Sequence, residues 1–168
     1  MFKEIKTTEL SSNPFQMIGK DWLLVTAEKD GKCNTMTASW GGLGVMWGKD
    51  VAFLVIRPQR YTKEFIDASS TLSISVLPES FRKEYSYLGT VSGRDEDKIA
   101  KAGLNVRHEG ETPYFEEADT VLVCRKLFAQ PYQPESILAE GIDEKWYPGK
   151  DYHTLYICEI EKVLVKEN

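Results

Sequence analysis

Two runs of residues, DWLLVTAE (Asp21 to Glu28) and CNTMTASW (Cys33 to Trp40), flank the link KDGK and constrain the fold more than any other feature of the chain. Both are rich in β-branched and aromatic residues. The link centres on Asp30-Gly31, a pair suited to a tight turn in which both central residues take positive φ. A hairpin here sets an antiparallel sheet in motion. DVAFLVIR (Asp50 to Arg57), TLSISVL (Thr71 to Leu77), DTVLVCRKLFAQPY (Asp119 to Tyr132) and the closing DYHTLYICEIEKVLV (Asp151 to Val165) read as further strands.

Helical signals are fewer. RPQRYTKEFIDASS places Tyr61, Phe65 and Ile66 at helical spacing, after a chain that Pro58 holds extended, with Thr62 as the expected cap. A second helix is expected near SFRKEYSYLGT. The third, in SGRDEDKIAKAGL, has acidic residues first, lysines last and Gly103 as its stop, in keeping with the helix dipole. Strands and helices do not alternate regularly, which argues against a doubly wound parallel sheet. The expected fold is mainly β, an antiparallel β-barrel with peripheral helices, in one domain spanning the 168 residues.

Composition narrows the function. The chain is 42% hydrophobic and 28% charged, without an apolar run long enough to span a bilayer, so no membrane association is expected. Its start, MFKEIKTTELSSNPF, lacks the apolar core of a secretory signal, and a cytoplasmic location is expected. Cys33, Cys124 and Cys158 are widely spaced and read as reduced thiols; with His108 and His153 they give no metal-ligand spacing, and no metal is expected. The net charge of −5 repels a nucleic acid backbone. An anionic small molecule would need a local basic cluster.

One cluster fits. RPQRYTK gathers Arg57, Arg60 and Lys63 at a strand-to-helix junction, where a phosphate gains arginine contacts and the N–H groups of the helix start; a solvated charged face is the plainer reading. Just upstream, alternation sets Cys33, Thr35, Thr37 and Ser39 on one strand face, a row over which a flat ring could approach, or simply a half-buried strand. Gly41, Gly42, Gly44 and Gly48 follow, either a barrel corner or bare backbone against a ligand; they match neither a dinucleotide fingerprint nor a P-loop. Trp40 and Trp47 beside them suit a core or a ring system equally. His153 lies in the closing strand with no hydrolase signature around it, a structural histidine or a catalyst.

NTMTASWGGLGVMWGKDVAFLVIRPQRYTKEFID together with GKDYHTLYICEIEKVLV resembles the flavin reductase-like proteins with the FMN-binding split barrel. The resemblance implies a homodimer with FMN near the subunit interface and hydride transfer to flavin from NADH or NADPH. It implies that Thr35, Met36, Thr37, Ala38 and Ser39 line the isoalloxazine, and that Arg57, Arg60, Tyr61 and Thr62 hold the phosphate end. His153 matches the family's closing-strand histidine, implying a catalytic role, although Asp151 and Tyr152 stand where the family has Gly-Asp. The alternative is a non-catalytic FMN carrier or sensor. An electron-accepting protein partner is also compatible.

Overall fold

The computed structural model describes residues 1–167. Ten strands follow in order: β1 Phe2–Ile5, β2 Leu23–Lys29, β3 Lys32–Ala38, β4 Gly41–Met46, β5 Lys49–Ile56, β6 Thr71–Val76, β7 Val106–Glu109, β8 Thr112–Phe115, β9 Thr120–Pro131 and β10 Thr154–Lys166. Five helices accompany them: α1 Pro14–Gln16, continued by a wide turn over Met17–Asp21, α2 Tyr61–Ala68, α3 Arg82–Thr90, α4 Lys98–Lys101 and α5 Ile142–Trp146. Among the described residues no helix is long and apolar enough to cross a membrane.

The large sheet is antiparallel, in the order β3-β2-β6-β9-β10-β5-β4. β1 pairs with the far end of β10, beyond the stretch that pairs with β5. β7 and β8 form a separate hairpin. β3 and β4 are consecutive in the chain yet form the two ends of the sheet order. Only Ser39 and Trp40 join them, so at that end the edges lie within about 11 Å of each other, three Cα steps. The sheet therefore curls into a barrel that stays open between β3 and β4.

Alternation along β2 explains what fills the barrel and what covers it. Leu23, Val25 and Ala27 join Met36, Leu54, Ile56, Leu72, Ile74, Leu122 and Tyr156 in the inner core, which Met17 and Ile18 also enter. Leu24 points outward and packs with Tyr85, Leu88, Ile99 and Phe115, under α3, α4 and β8. The Asp30-Gly31 turn has φ of 51° and 72°, as the hairpin requires.

Three local expectations change. The glycine run is a strand, β4, rather than a turn: the turn comes later, at Trp47 and Gly48, with φ of 53° and 70°. Gly41 sits at φ 145°, where a Cβ would overlap the Phe53 carbonyl oxygen, and a Cβ on Gly44 would crowd the Phe53 ring at 3.3 Å. Close approach to β5 accounts for both glycines. Thr62 is not the cap of α2: Arg60 holds that position without a side-chain bond, while the buried Thr62 accepts a hydrogen bond from Asn34 Nδ2 at 2.9 Å. The third helix is only the turn Lys98–Lys101, capped by Asp97, though Gly103 at φ 69° does end it.

Candidate functional site

The site is built where the barrel opens. A groove of about 360 Å³ is lined by Met36 to Trp40 from the end of β3, by Val55 and Arg57 from the end of β5, and by Gln59, Arg60, Trp146 and His153. Other hollows are larger, one of about 610 Å³ beside Lys20 and Arg82, but the groove is where an open sheet edge meets arginines and aromatic rings. Among the described residues β3 has no sheet partner on its far side, and its backbone N–H and C=O groups along that edge make no sheet hydrogen bonds.

Of the residues singled out in the sequence, Met36, Thr37, Ala38, Ser39, Arg57, Arg60 and His153 line this groove. Tyr61 lines an adjoining hollow of about 560 Å³ with Asn34, Gly93, Arg94 and Lys98. Thr35 and Thr62 are buried behind it. The hydroxyl row faces inward to protein: Thr35 Oγ1 lies 2.9 Å from Thr26 Oγ1, and Thr37 Oγ1 donates to the Tyr85 carbonyl at 2.6 Å. β3 thus does not offer the groove a row of threonine hydroxyls, while Met36 and Ala38 on its other face belong to the inner core.

The two arginines differ in their surroundings. Arg57 pairs with Asp151 at 2.7 Å, donates to the Trp146 carbonyl at 2.9 Å and lies 5.1 Å from the Tyr147 ring centroid. Gln59 donates to the same Asp151 oxygen at 2.7 Å. Gln59, then Arg57, hold the Asp151 carboxyl below the ordinary range. Arg57 is therefore the clamp that ties the segment from Trp146 to Asp151 across the groove. Arg60 has one contact of this kind, to the Gly89 carbonyl at 2.7 Å, and burial lowers its pKa.

His153 precedes β10 and is only 6% exposed. Its Nδ1 lies 2.7 Å from the Tyr147 hydroxyl, and its ring is 5.2 Å from that of Trp40. Burial, followed by the Arg57 charge, pulls its pKa down to about 4, so the ring is neutral at pH 7. Trp40 and Trp146 meet edge to face at 4.9 Å over the groove, each about 40% exposed. Trp47 lies elsewhere, 6.2 Å from Phe128 at the β4–β5 turn. Sequence reasoning missed Trp146, Tyr147 and Asp151 as site residues; the aromatic density of KWYPGKDYH was the one signal. Among the described residues no cluster of His, Cys, Asp and Glu could hold a metal.

Comparison with solved structures finds the same fold in FMN-binding proteins. An FMN-binding domain of a flavin reductases-like enzyme from Shewanella baltica OS155 matches with a TM-score of 0.71 at 17% identity, over 98% of this chain and 77% of that one. Flavoredoxin of Desulfovibrio vulgaris (Miyazaki F) matches with a TM-score of 0.68 at 22% identity, over 97% and 78%. The FMN-binding protein from Thermus thermophilus, with bound p-hydroxybenzaldehyde, gives 0.69 at 19% identity, over 99% and 83%. No curated protein matches the chain. The family model for the flavin reductase like domain matches residues 17–168, and with the split barrel just described it places the chain in the flavin reductase-like family.

Proposed function

We propose that the protein binds FMN in the groove between β3 and α2 and catalyses hydride transfer to it from NADH or NADPH. The observation that carries this reading is the groove itself, where an open β-strand edge, a cover of tryptophan rings and Arg60, a guanidinium in no ion pair among the described residues, come together. These parts fit FMN. A free strand edge suits a flat ring carrying carbonyl and nitrogen atoms, and an arginine at one end suits a phosphate.

Bound FMN supplies the hydride-accepting ring, so no side chain has to take a proton during the transfer. Backbone groups from Met36 to Ser39 would orient the ring, with their N–H dipoles available to its carbonyl and nitrogen atoms. Trp40 and Trp146 restrict water. His153 stays neutral and is held by Tyr147, placing an uncharged imidazole at the groove wall. Exposed Val45 and Trp47 near the free edge strand β4 support the expected homodimer.

The test is anaerobic mixing of the purified protein with FMN and either donor, followed at the flavin absorbance band. Bleaching with at least one donor is expected. Bound FMN that bleaches with neither would leave the carrier reading in place of the reductase, and failure to bind any flavin would overturn both.

A further inference from the structure

The two ring nitrogens of His153 meet different surroundings. Nδ1 lies 2.7 Å from the hydroxyl of Tyr147, a residue only 4% exposed. Nε2 has no hydrogen-bond partner among the described residues, yet it is not sealed from solvent, and the imidazole lines the groove with Trp40 and Trp146. A polar atom of a buried side chain is thus left open towards the groove.

The Tyr147 contact decides which nitrogen carries the proton. A phenol has one proton to donate, and among the described residues the Tyr147 hydroxyl has no acceptor other than His153 Nδ1. With the ring proton on Nδ1, that buried hydroxyl would donate to nothing, a costly arrangement. Burial raises the Tyr147 pKa and, with the Arg57 charge, lowers that of His153 to about 4, so both groups are neutral at pH 7. Tyr147 therefore donates to Nδ1, and the ring proton sits on Nε2. The charges around the ring cancel: Arg57 is paired with Asp151 at 2.7 Å, and burial keeps Tyr132, whose ring lies 6.2 Å away, in its protonated form.

We propose that the clamp end of the groove binds a flat, uncharged, conjugated carbonyl compound other than the flavin and the nicotinamide, its carbonyl oxygen accepting a hydrogen bond from His153 Nε2–H beside Trp40 and Trp146. A neutral N–H suits a neutral acceptor, because it lacks the charge that grips a carboxylate or phosphate, and the paired Arg57 adds none. It is also able to polarise a carbonyl. An alcohol of the same shape brings a proton of its own to a nitrogen that already carries one. The half-exposed indole rings of Trp40 and Trp146 give a planar molecule apolar area to lie against. Tyr147 is a positioning residue that fixes the tautomer. The inference goes beyond the flavin reading, since every group that forms the site belongs to the chain.

The experiment titrates benzylideneacetone into the purified protein by calorimetry, with and without FMN, beside the alcohol formed by reducing its carbonyl and beside nicotinamide. The ketone should bind about three- to tenfold tighter than the alcohol in both conditions. Nitrogen NMR of histidine-labelled protein should find the His153 proton on Nε2, with a signal that shifts when the ketone is added. Tyr147→Phe should spread that proton over both nitrogens and weaken the ketone about three- to tenfold, leaving the alcohol within about twofold. An unchanged tautomer in Tyr147→Phe, or equal losses for ketone and alcohol, would make Tyr147 merely structural and overturn its part. Equal affinities in the wild type, or a ring proton on Nδ1, contradict the proposal. Displacement of the ketone by FMN would assign Nε2–H to a carbonyl of the flavin ring, and tighter binding of nicotinamide would assign it to the hydride donor; either overturns the proposal. If Tyr147→Phe does not fold, the wild-type spectrum and the ketone–alcohol comparison decide. A protein that prefers the ketone and binds no flavin removes the flavin reading alone, whereas one that binds FMN without preferring the ketone removes this inference alone.

Discussion

Arg57 and Arg60 stand in one short stretch, RPQRYT, and behave as two different residues. Arg57 is closed into an ion pair with Asp151, a bond to the Trp146 carbonyl and a contact with the Tyr147 ring. Among the described residues the Arg60 guanidinium reaches only a backbone carbonyl. Equal formal charge therefore says little about available charge: a paired guanidinium shapes the protein, and an unpaired one waits for an anion. One end of the groove is a clamp, and the other is the receptor proposed for an anion.

The contrast breaks most directly at Arg60. Arg60→Ala should weaken FMN binding about ten- to a hundredfold while riboflavin changes much less, since one charge-assisted bond contributes about 1.5 to 3 kcal/mol. Equal losses measured by flavin fluorescence would mean that Arg60, too, is structural. Arg57→Ala should act differently, weakening FMN and riboflavin by the same factor of about five or less, the worth of a partly exposed ion pair. Limited proteolysis should then cut the segment between Tyr132 and His153 faster than in the wild type; an FMN-selective loss would return Arg57 to the phosphate.

The smallest effect sharpens the clamp end. The Arg57 charge helps to lower the His153 pKa, so Arg57→Ala should raise it from about 4 towards 6.5, followed by NMR of the ring protons. The linkage has a definite sign. Because the folded-state pKa is depressed, the unfolded chain binds the proton first, and stability is lost as pH falls from about 6.5 to about 4. His153→Gln should flatten that part of the denaturation profile. An unchanged profile would place the acid sensitivity elsewhere.

The strand-rich character, the Asp30-Gly31 hairpin and the Gly103 helix stop were legible in the sequence because each depends on residues close in the chain. β4 was not legible: its glycines serve an approach to Phe53, visible only once β5 lies alongside. The groove residues from Met36 to Ser39 could be found from strand pattern and family resemblance together. The direction of the threonine hydroxyls could not, since it depends on α3 packing over β3 and supplying the Tyr85 carbonyl. Arg57 looked like Arg60 because its partner Asp151 lies 94 residues away. Lys98 counted in DEDKIAK only as part of the basic last turn of a helix, and its burial depends on the Leu88 and Val91 carbonyls at the end of α3.

The central claim is that this groove holds a flavin and grips it by its phosphate. Titration of the wild-type protein with FMN and with riboflavin, read from quenching of the Trp40 and Trp146 fluorescence beside the groove, tests it most directly. Saturable binding of both, with FMN tighter by about tenfold or more, is the predicted result. Equal affinities, or quenching by neither flavin, would contradict it.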